Sequence, residues 1–168
     1  MTKLQIFYDY ECPFCKRGYE DLVELLPAFP ELEIEWRPIE AHPRPENFGI
    51  HTDLCIRSFY IAQELGSDMS AFHKAMFHAV VTDGKNVEKD EVIANVVKGI
   101  VDSAKLLELL KSGKYIENVN ENNDLAYEKN KVWYLPAFRI PGKNTPRLDA
   151  KGGIGVSREE IREFLESL

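Results

Sequence analysis

A short apolar strand that runs directly into Cys12-Pro13-Phe14-Cys15, with an amphipathic helix starting at the pair, leaves this chain the fewest options. Leu4 to Tyr8 are rich in residue types that favour a pleated, buried strand, and Asp9 to Glu11 form a turn. The helix that follows puts Cys12 near the cap position and Pro13 in the first turn, where proline's missing N–H costs nothing. Cys15, Tyr19, Leu22 and Leu26 recur at spacings of three and four, so the second cysteine lies on the buried stripe and the first at the open end. Pro27 and Pro30 close the helix.

A thiol attacks as its thiolate, and a helix N-terminus supplies the N–H groups and dipole that lower a cysteine pKa from ~8.5 into the range of ~3.5–7.5. Around Cys12 the charges compete: Asp9 and Glu11 disfavour the anion, whereas Lys16 and Arg17 favour it. Accessibility assigns the roles, with Cys12 as nucleophile and Cys15 as resolving thiol. The pair could also be half of a zinc site, but no second pair exists to complete a ribbon. Cys55 sits on an apolar stripe and reads as a structural thiol. His42, His51, His73 and His78 read as structural or surface residues, because no third ligand accompanies the His51/Cys55 spacing. Tyr10 and Phe14 fit either a hydrophobic rim around Cys12 or ordinary packing.

Downstream, Leu32, Ile34 and Trp36 alternate with Glu33, Glu35 and Arg37, which predicts a second strand and a strand-helix-strand unit with parallel pairing. From about Thr52 the apolar spacing is helical for some eighty residues, by the count of three- and four-residue repeats. Within that stretch Val92 to Ile100 reads as one helical stripe, Ser103 as an N-cap with Gly113 as the stop, and Asn130 as a left-handed cap. The Glu117 to Asp124 run reads as a solvated helix face. Strand character returns at Val132 to Ile140 despite Pro136, and a short strand is expected near Arg147 to Leu148. Ser157 with Glu160 forms a capping box for a last helix whose Ile161, Phe164 and Leu165 face inward.

At 168 residues one domain suffices. The net charge of −7, with cations scattered among carboxylates, argues against nucleic acid and anionic membrane as partners. The opening Met1 to Asp9 run meets a carboxylate too early for a secretory leader, and three cysteines do not make a disulfide-stapled scaffold, so a cytoplasmic protein is expected.

The segment Tyr8-Asp9-Tyr10-Glu11-Cys12-Pro13-Phe14-Cys15 resembles the active-site segment of DsbA-like proteins, particularly the cytoplasmic FrnE-like branch. Ile34-Glu35-Trp36-Arg37-Pro38 is similar to the family's second strand, and Val132 to Phe138 to the segment carrying its cis-proline. The resemblance implies an α/β thioredoxin fold in a single domain over 1–168. Its core spans about 1–50 and 131–168, and a helical insertion over about 51–130 separates the βαβ and ββα halves. It implies a thiol-disulfide oxidoreductase acting on protein or small-thiol substrates, glutathione among them, with no cofactor and no metal. Pro136 would lie in a cis bond against the cysteines and the Leu135 backbone would bind an extended substrate, with Pro13 and Phe14 as further substrate contacts. The chain departs from the family at Lys131 and Tyr134, where glycines are common, and at Leu135, where a smaller residue is common. It departs again at Ile6, the position of a buried acid in many thioredoxin-type proteins, so proton transfer at Cys15 needs another group or water. The rival readings are a glutathione-dependent transferase or isomerase on the same scaffold, against which Cys15 speaks, and a module using the cysteines to bind metal or a partner.

Overall fold

The strand β1 (Thr2–Tyr8) is buried on both faces, and the rest of the molecule is arranged around it. Its alternating side chains divide two cores: Leu4, Ile6 and Tyr8 enter a large cluster, while Phe7 enters a smaller one with Ile39, Ala126, Val132 and Ala137. The computed structural model describes all of residues 1–168. After β1 come α1 (Pro13–Leu25), a single 3₁₀ turn over Leu26–Ala28, and β2 (Leu32–Pro38), which pairs with β1 in parallel from Thr2↔Leu32 to Tyr8↔Pro38.

Five helices separate the two halves of the sheet: α2 (Asp53–Glu64), α3 (Met69–Phe77), α4 (Asp90–Val96), α5 (Ser103–Lys111) and α6 (Ile116–Asp124). The chain then forms β3 (Ala137–Arg139), β4 (Arg147–Asp149) and α7 (Arg158–Glu166). The sheet order is β2-β1-β3-β4, with β3 antiparallel to both neighbours. This is the thioredoxin-like α/β fold, interrupted by helices between β2 and β3. No helix is long and apolar enough to cross a membrane.

The insertion is fastened to the sheet by aromatic packing. His73 of α3 is enclosed by Tyr8, Tyr10, Tyr19, Trp36, Phe59 and Phe72, with the Trp36 ring centre 4.8 Å away. Its Nδ1 and the Tyr10 hydroxyl share a 3.1 Å hydrogen bond, and the Tyr10 and Tyr8 hydroxyls are 3.0 Å apart. Burial lowers the His73 pKa to about 3, so the ring is neutral over the ordinary pH range.

Several local expectations need correction. The strand predicted over Val132 to Ile140 reaches only Ala137–Arg139, because β1 offers partners only from Phe7↔Ala137 to Gln5↔Arg139. The helical stripe at Val92 to Ile100 stops at Val96, before Gly99 at φ +82°. Asp102, not Ser103, caps α5 through Lys105 N–H, while the Ser103 hydroxyl donates to Ala94 O. The left-handed residue after the insertion is Lys131 (φ +51°); Asn130 is right-handed, and its side-chain amide donates to Leu125 O. Tyr10 is fully buried, which assigns it to packing rather than to a rim. The Ser157/Glu160 capping box forms as expected.

Candidate active site

The end of β1 and the start of α1 bring both cysteines to one place. Cys12 is the N-cap of α1, with extended φ and ψ, and Pro13 opens the first turn. The Cys12 Sγ accepts the Cys15 N–H at 3.2 Å, so a sulfur occupies the position a capping oxygen usually takes. Cys12 is partly exposed, whereas Cys15 is buried against Ile6, Tyr8, Leu22 and Pro136. The two thiols are free of any disulfide.

The electrostatics separate the two sulfurs. The Cys15 thiol, then the N–H groups of Cys15 and Phe14, are directed at the Cys12 sulfur and hold its pKa below the ordinary thiol value; burial and the Asp9 charge oppose them. Burial, reinforced by the hydrogen bond to Cys12, pushes the Cys15 thiol well above that value. Burial also raises Cys55, which lies in the core and outside the cleft, as a structural thiol should.

A buried acid does stand near the cysteines at Asp9, three positions before Cys12. Its carboxylate is only 1 % exposed and accepts hydrogen bonds from Ala41 N–H (2.7 Å), the Thr52 hydroxyl (2.7 Å) and Glu11 N–H (3.2 Å). These donors come from the turn itself, from the loop after β2 and from the N-cap residue of α2. Its backbone carbonyl accepts the Cys12 N–H at 3.1 Å. Burial raises its pKa to about 7 against the pull of the Ala41 and Thr52 bonds. On charge alone Asp9 is one more carboxylate near the motif, and no local sequence signal separates it from Glu11.

The second strand-helix half supplies the opposite side. The Leu135–Pro136 bond is cis, Pro136 is buried, and the Leu135 carbonyl oxygen lies 4.0 Å from Cys12 Sγ. Pro136 seats on α1 where Gly18 leaves room, since a Cβ there would stand 3.0 Å from Pro136 Cγ. Cys12, Pro13, Phe14 and Leu135 all line one cleft of about 750 Å³, whose walls also include Glu11, His42, Trp133, Tyr134 and Gly152. Pro136 is behind that surface, against Cys15.

Phe14 is held from outside by Arg17, whose guanidinium lies 5.4 Å from the ring centre and donates to Ile154 O at 2.6 Å. Across the cleft mouth, the two nitrogens of His42 face Glu11 (3.2 Å) and Glu46 (3.1 Å), and Glu11 also accepts the Ile50 N–H. His42 therefore ties the loop after β2 to the residue preceding Cys12. The other histidines remain outside the cleft, and no three His, Cys, Asp or Glu side chains are grouped to hold a metal ion.

A family model described as a DSBA-like thioredoxin domain matches residues 3–150. No curated protein matches the chain. Among solved structures, the probable DsbA oxidoreductase of Streptomyces coelicolor is similar over 99 % of this chain and 89 % of its own, with a TM-score of 0.79 at 15 % identity. A thioredoxin-like oxidoreductase from Silicibacter pomeroyi covers 99 % and 85 % (TM-score 0.72, 16 % identity). Pseudomonas aeruginosa DsbA covers 98 % and 80 % (TM-score 0.72, 19 % identity). At these identities the structures share the fold.

Proposed function

Because the chain belongs to the DSBA-like thioredoxin domain family, we propose that it exchanges disulfides with protein or small-thiol substrates through Cys12 and Cys15. The observation that carries this reading is the asymmetry of the two sulfurs: one is accessible with a lowered pKa, the other enclosed with a raised one. In the reducing direction, the Cys12 thiolate attacks one sulfur of a substrate disulfide. That S–S bond breaks, the other substrate sulfur leaves as a thiolate, and a mixed disulfide joins Cys12 to the substrate.

Cys15 then loses its proton and attacks Cys12, forming the Cys12–Cys15 disulfide and releasing the second substrate thiolate. The pair has been oxidised and the substrate disulfide reduced; the same steps reversed oxidise a substrate dithiol. We assign the Cys15 proton to Asp9, whose charge acts on both sulfurs and which titrates near neutrality. Pro13, Phe14, Leu135 and Pro136 are the substrate-binding surface in this reading, with glutathione among the small thiols. The reading extends to the FrnE-like branch and a cytoplasmic setting, supported by the Tyr8 to Cys15 and Ile34 to Pro38 segments and by the sparse cysteine content.

The test is trapping. Offered oxidised glutathione and a disulfide-bonded protein, Cys15→Ser accumulates mixed disulfides at Cys12, because nothing displaces the captured partner, while Cys12→Ser accumulates none. Equal trapping by the two variants, read by intact-protein mass spectrometry, would remove the role assignment.

A further inference from the structure

A second cavity lies at the other end of β3 from the cysteines and shares no lining residue with their cleft. Its volume is about 280 Å³ and no apolar side chain lines it. Four cations do, Lys129, Lys131, Arg139 and Arg147, and no carboxylate does. In a chain of net charge −7 this is a local reversal of sign, so general composition does not account for it.

Charge stoichiometry makes the cluster more than a solvated patch. Arg139 and Arg147 are directly opposed across the β3–β4 pair, an arrangement that repels without a counter-charge. The single Asp149 serves both, one oxygen 2.6 Å from Arg139 Nη2 and the other 2.9 Å from Arg147 Nε. Lys129 has Asp124 at 3.6 Å. Two acids thus face four cations. Arg139 is only 4 % exposed; its remaining donors go to the Phe138 and Asn130 carbonyls, and its Nε is buried without a partner. Burial lowers the Arg139 pKa in spite of Asp149, the mark of a cation whose lost hydration is incompletely replaced.

We infer that this cavity binds a small phosphate-type oxyanion. Such a ligand brings the missing negative charge and enough acceptor oxygens for two lysines and an exposed guanidinium, and guanidinium geometry matches phosphate. The cavity has room for a phosphomonoester or pyrophosphate headgroup and no apolar side chain against which a larger organic body could pack.

The probes are inorganic phosphate and pyrophosphate, titrated against the full chain at constant ionic strength with chloride as the balancing ion. Each should raise Tm, by about 3–5 °C at about ten times its Kd and beyond that with the logarithm of its concentration. Arg147→Gln and Lys131→Asn should each weaken binding about tenfold or more, the loss of one charge-assisted contact; asparagine also accepts the left-handed backbone at 131. Both positions are exposed, so the variants fold, and Cys12 alkylation in them checks that the cysteine site is intact. A shift no larger than the one chloride gives at the same ionic strength would mean an adventitious ion only and would overturn the proposal. Undiminished phosphate binding by the double variant would overturn it equally.

Discussion

The two walls of the cysteine cleft are built on opposite terms. The wall at the β1–α1 junction is internally saturated: Asp9 takes three donors, Tyr10 is buried with its hydroxyl bonded to Tyr8 and His73, and Glu11 is held by His42 and Ile50. The facing wall, Val132 to Leu135 with Gly152 to Gly155, exposes large apolar side chains instead. Trp133 is 83 % exposed and Tyr134 and Ile154 more than half, and the segment is anchored by Val132 N–H on Ala126 O. A thiol whose pKa must be held needs fixed donors around it. In the proposed function, a substrate-binding surface draws on free apolar area, which the first wall does not offer.

The largest expected effect lies at the centre of the saturated wall. Asp9 has a folded-state pKa of about 7, above its unfolded value of 3.8. Between those values the folded chain binds more protons than the unfolded one, so the Asp9 contribution to stability falls as pH rises from about 4 to 7 and is constant outside that window. The upper bound of the change is about 4 kcal/mol. Asp9→Asn removes this dependence but turns an amide toward the Ala41 N–H, a loss of about 1–3 kcal/mol at every pH. The stability difference between wild type and variant should therefore move in the variant's favour by up to about 4 kcal/mol from pH 4 to 8, by urea unfolding. Because the Asp9 charge raises the Cys12 pKa, the variant's alkylation midpoint should also fall. A constant stability difference with an unmoved midpoint would make Asp9 a structural strut alone.

Removing an aromatic group from the other wall should do something different in kind. Trp133→Ala removes mostly solvated surface, so its unfolding free energy should stay within about 0.5 kcal/mol of wild type. Exchange with a peptide disulfide carrying apolar neighbours should slow by about tenfold, as expected for one lost hot-spot aromatic, while exchange with oxidised glutathione stays unchanged. Equal slowing toward both substrates would mean that this wall shapes the cysteine site itself, and the contrast between the walls would fail.

The saturated wall was also the more legible one. Strand, cap, proline and the burial of Cys15 follow from residue order, because an apolar run ending in a cysteine-capped helix has one economical arrangement. The parallel β1–β2 pair and the Ser157 capping box were readable for the same local reason. Asp9 was not, because its environment comes from Ala41 and Thr52, 32 and 43 residues away. Nor was the limit of β3: apolar and aromatic residues at 132–135 favour a strand, but no neighbouring strand is present there to pair with them. The role of the loop Gly152 to Gly155 in shaping the cleft was not legible either, because it depends on Phe14 and Tyr134, both remote in sequence.

Those glycines give the smallest and sharpest comparison. Gly155 has φ +76°, and a Cβ there would stand 2.8 Å from Cβ of Phe14, an atom fixed to the α1 backbone. Gly155→Ala should destabilise by about 1–2 kcal/mol, from the left-handed backbone and from displaced contacts. It should also slow Cys12 alkylation, because Phe14 supplies one of the N–H groups directed at that sulfur. Gly152 has no positive φ, and its Cβ would meet the outer edge of the Tyr134 ring at 2.8 Å, a half-exposed side chain free to swing outward. Gly152→Ala should therefore stay within about 0.5 kcal/mol and leave alkylation unchanged, moving only the affinity for peptide substrates. If the two alanines had equal effects on Cys12 reactivity, the wall carrying Tyr134 would be as firmly coupled to the sulfur as the one carrying Phe14.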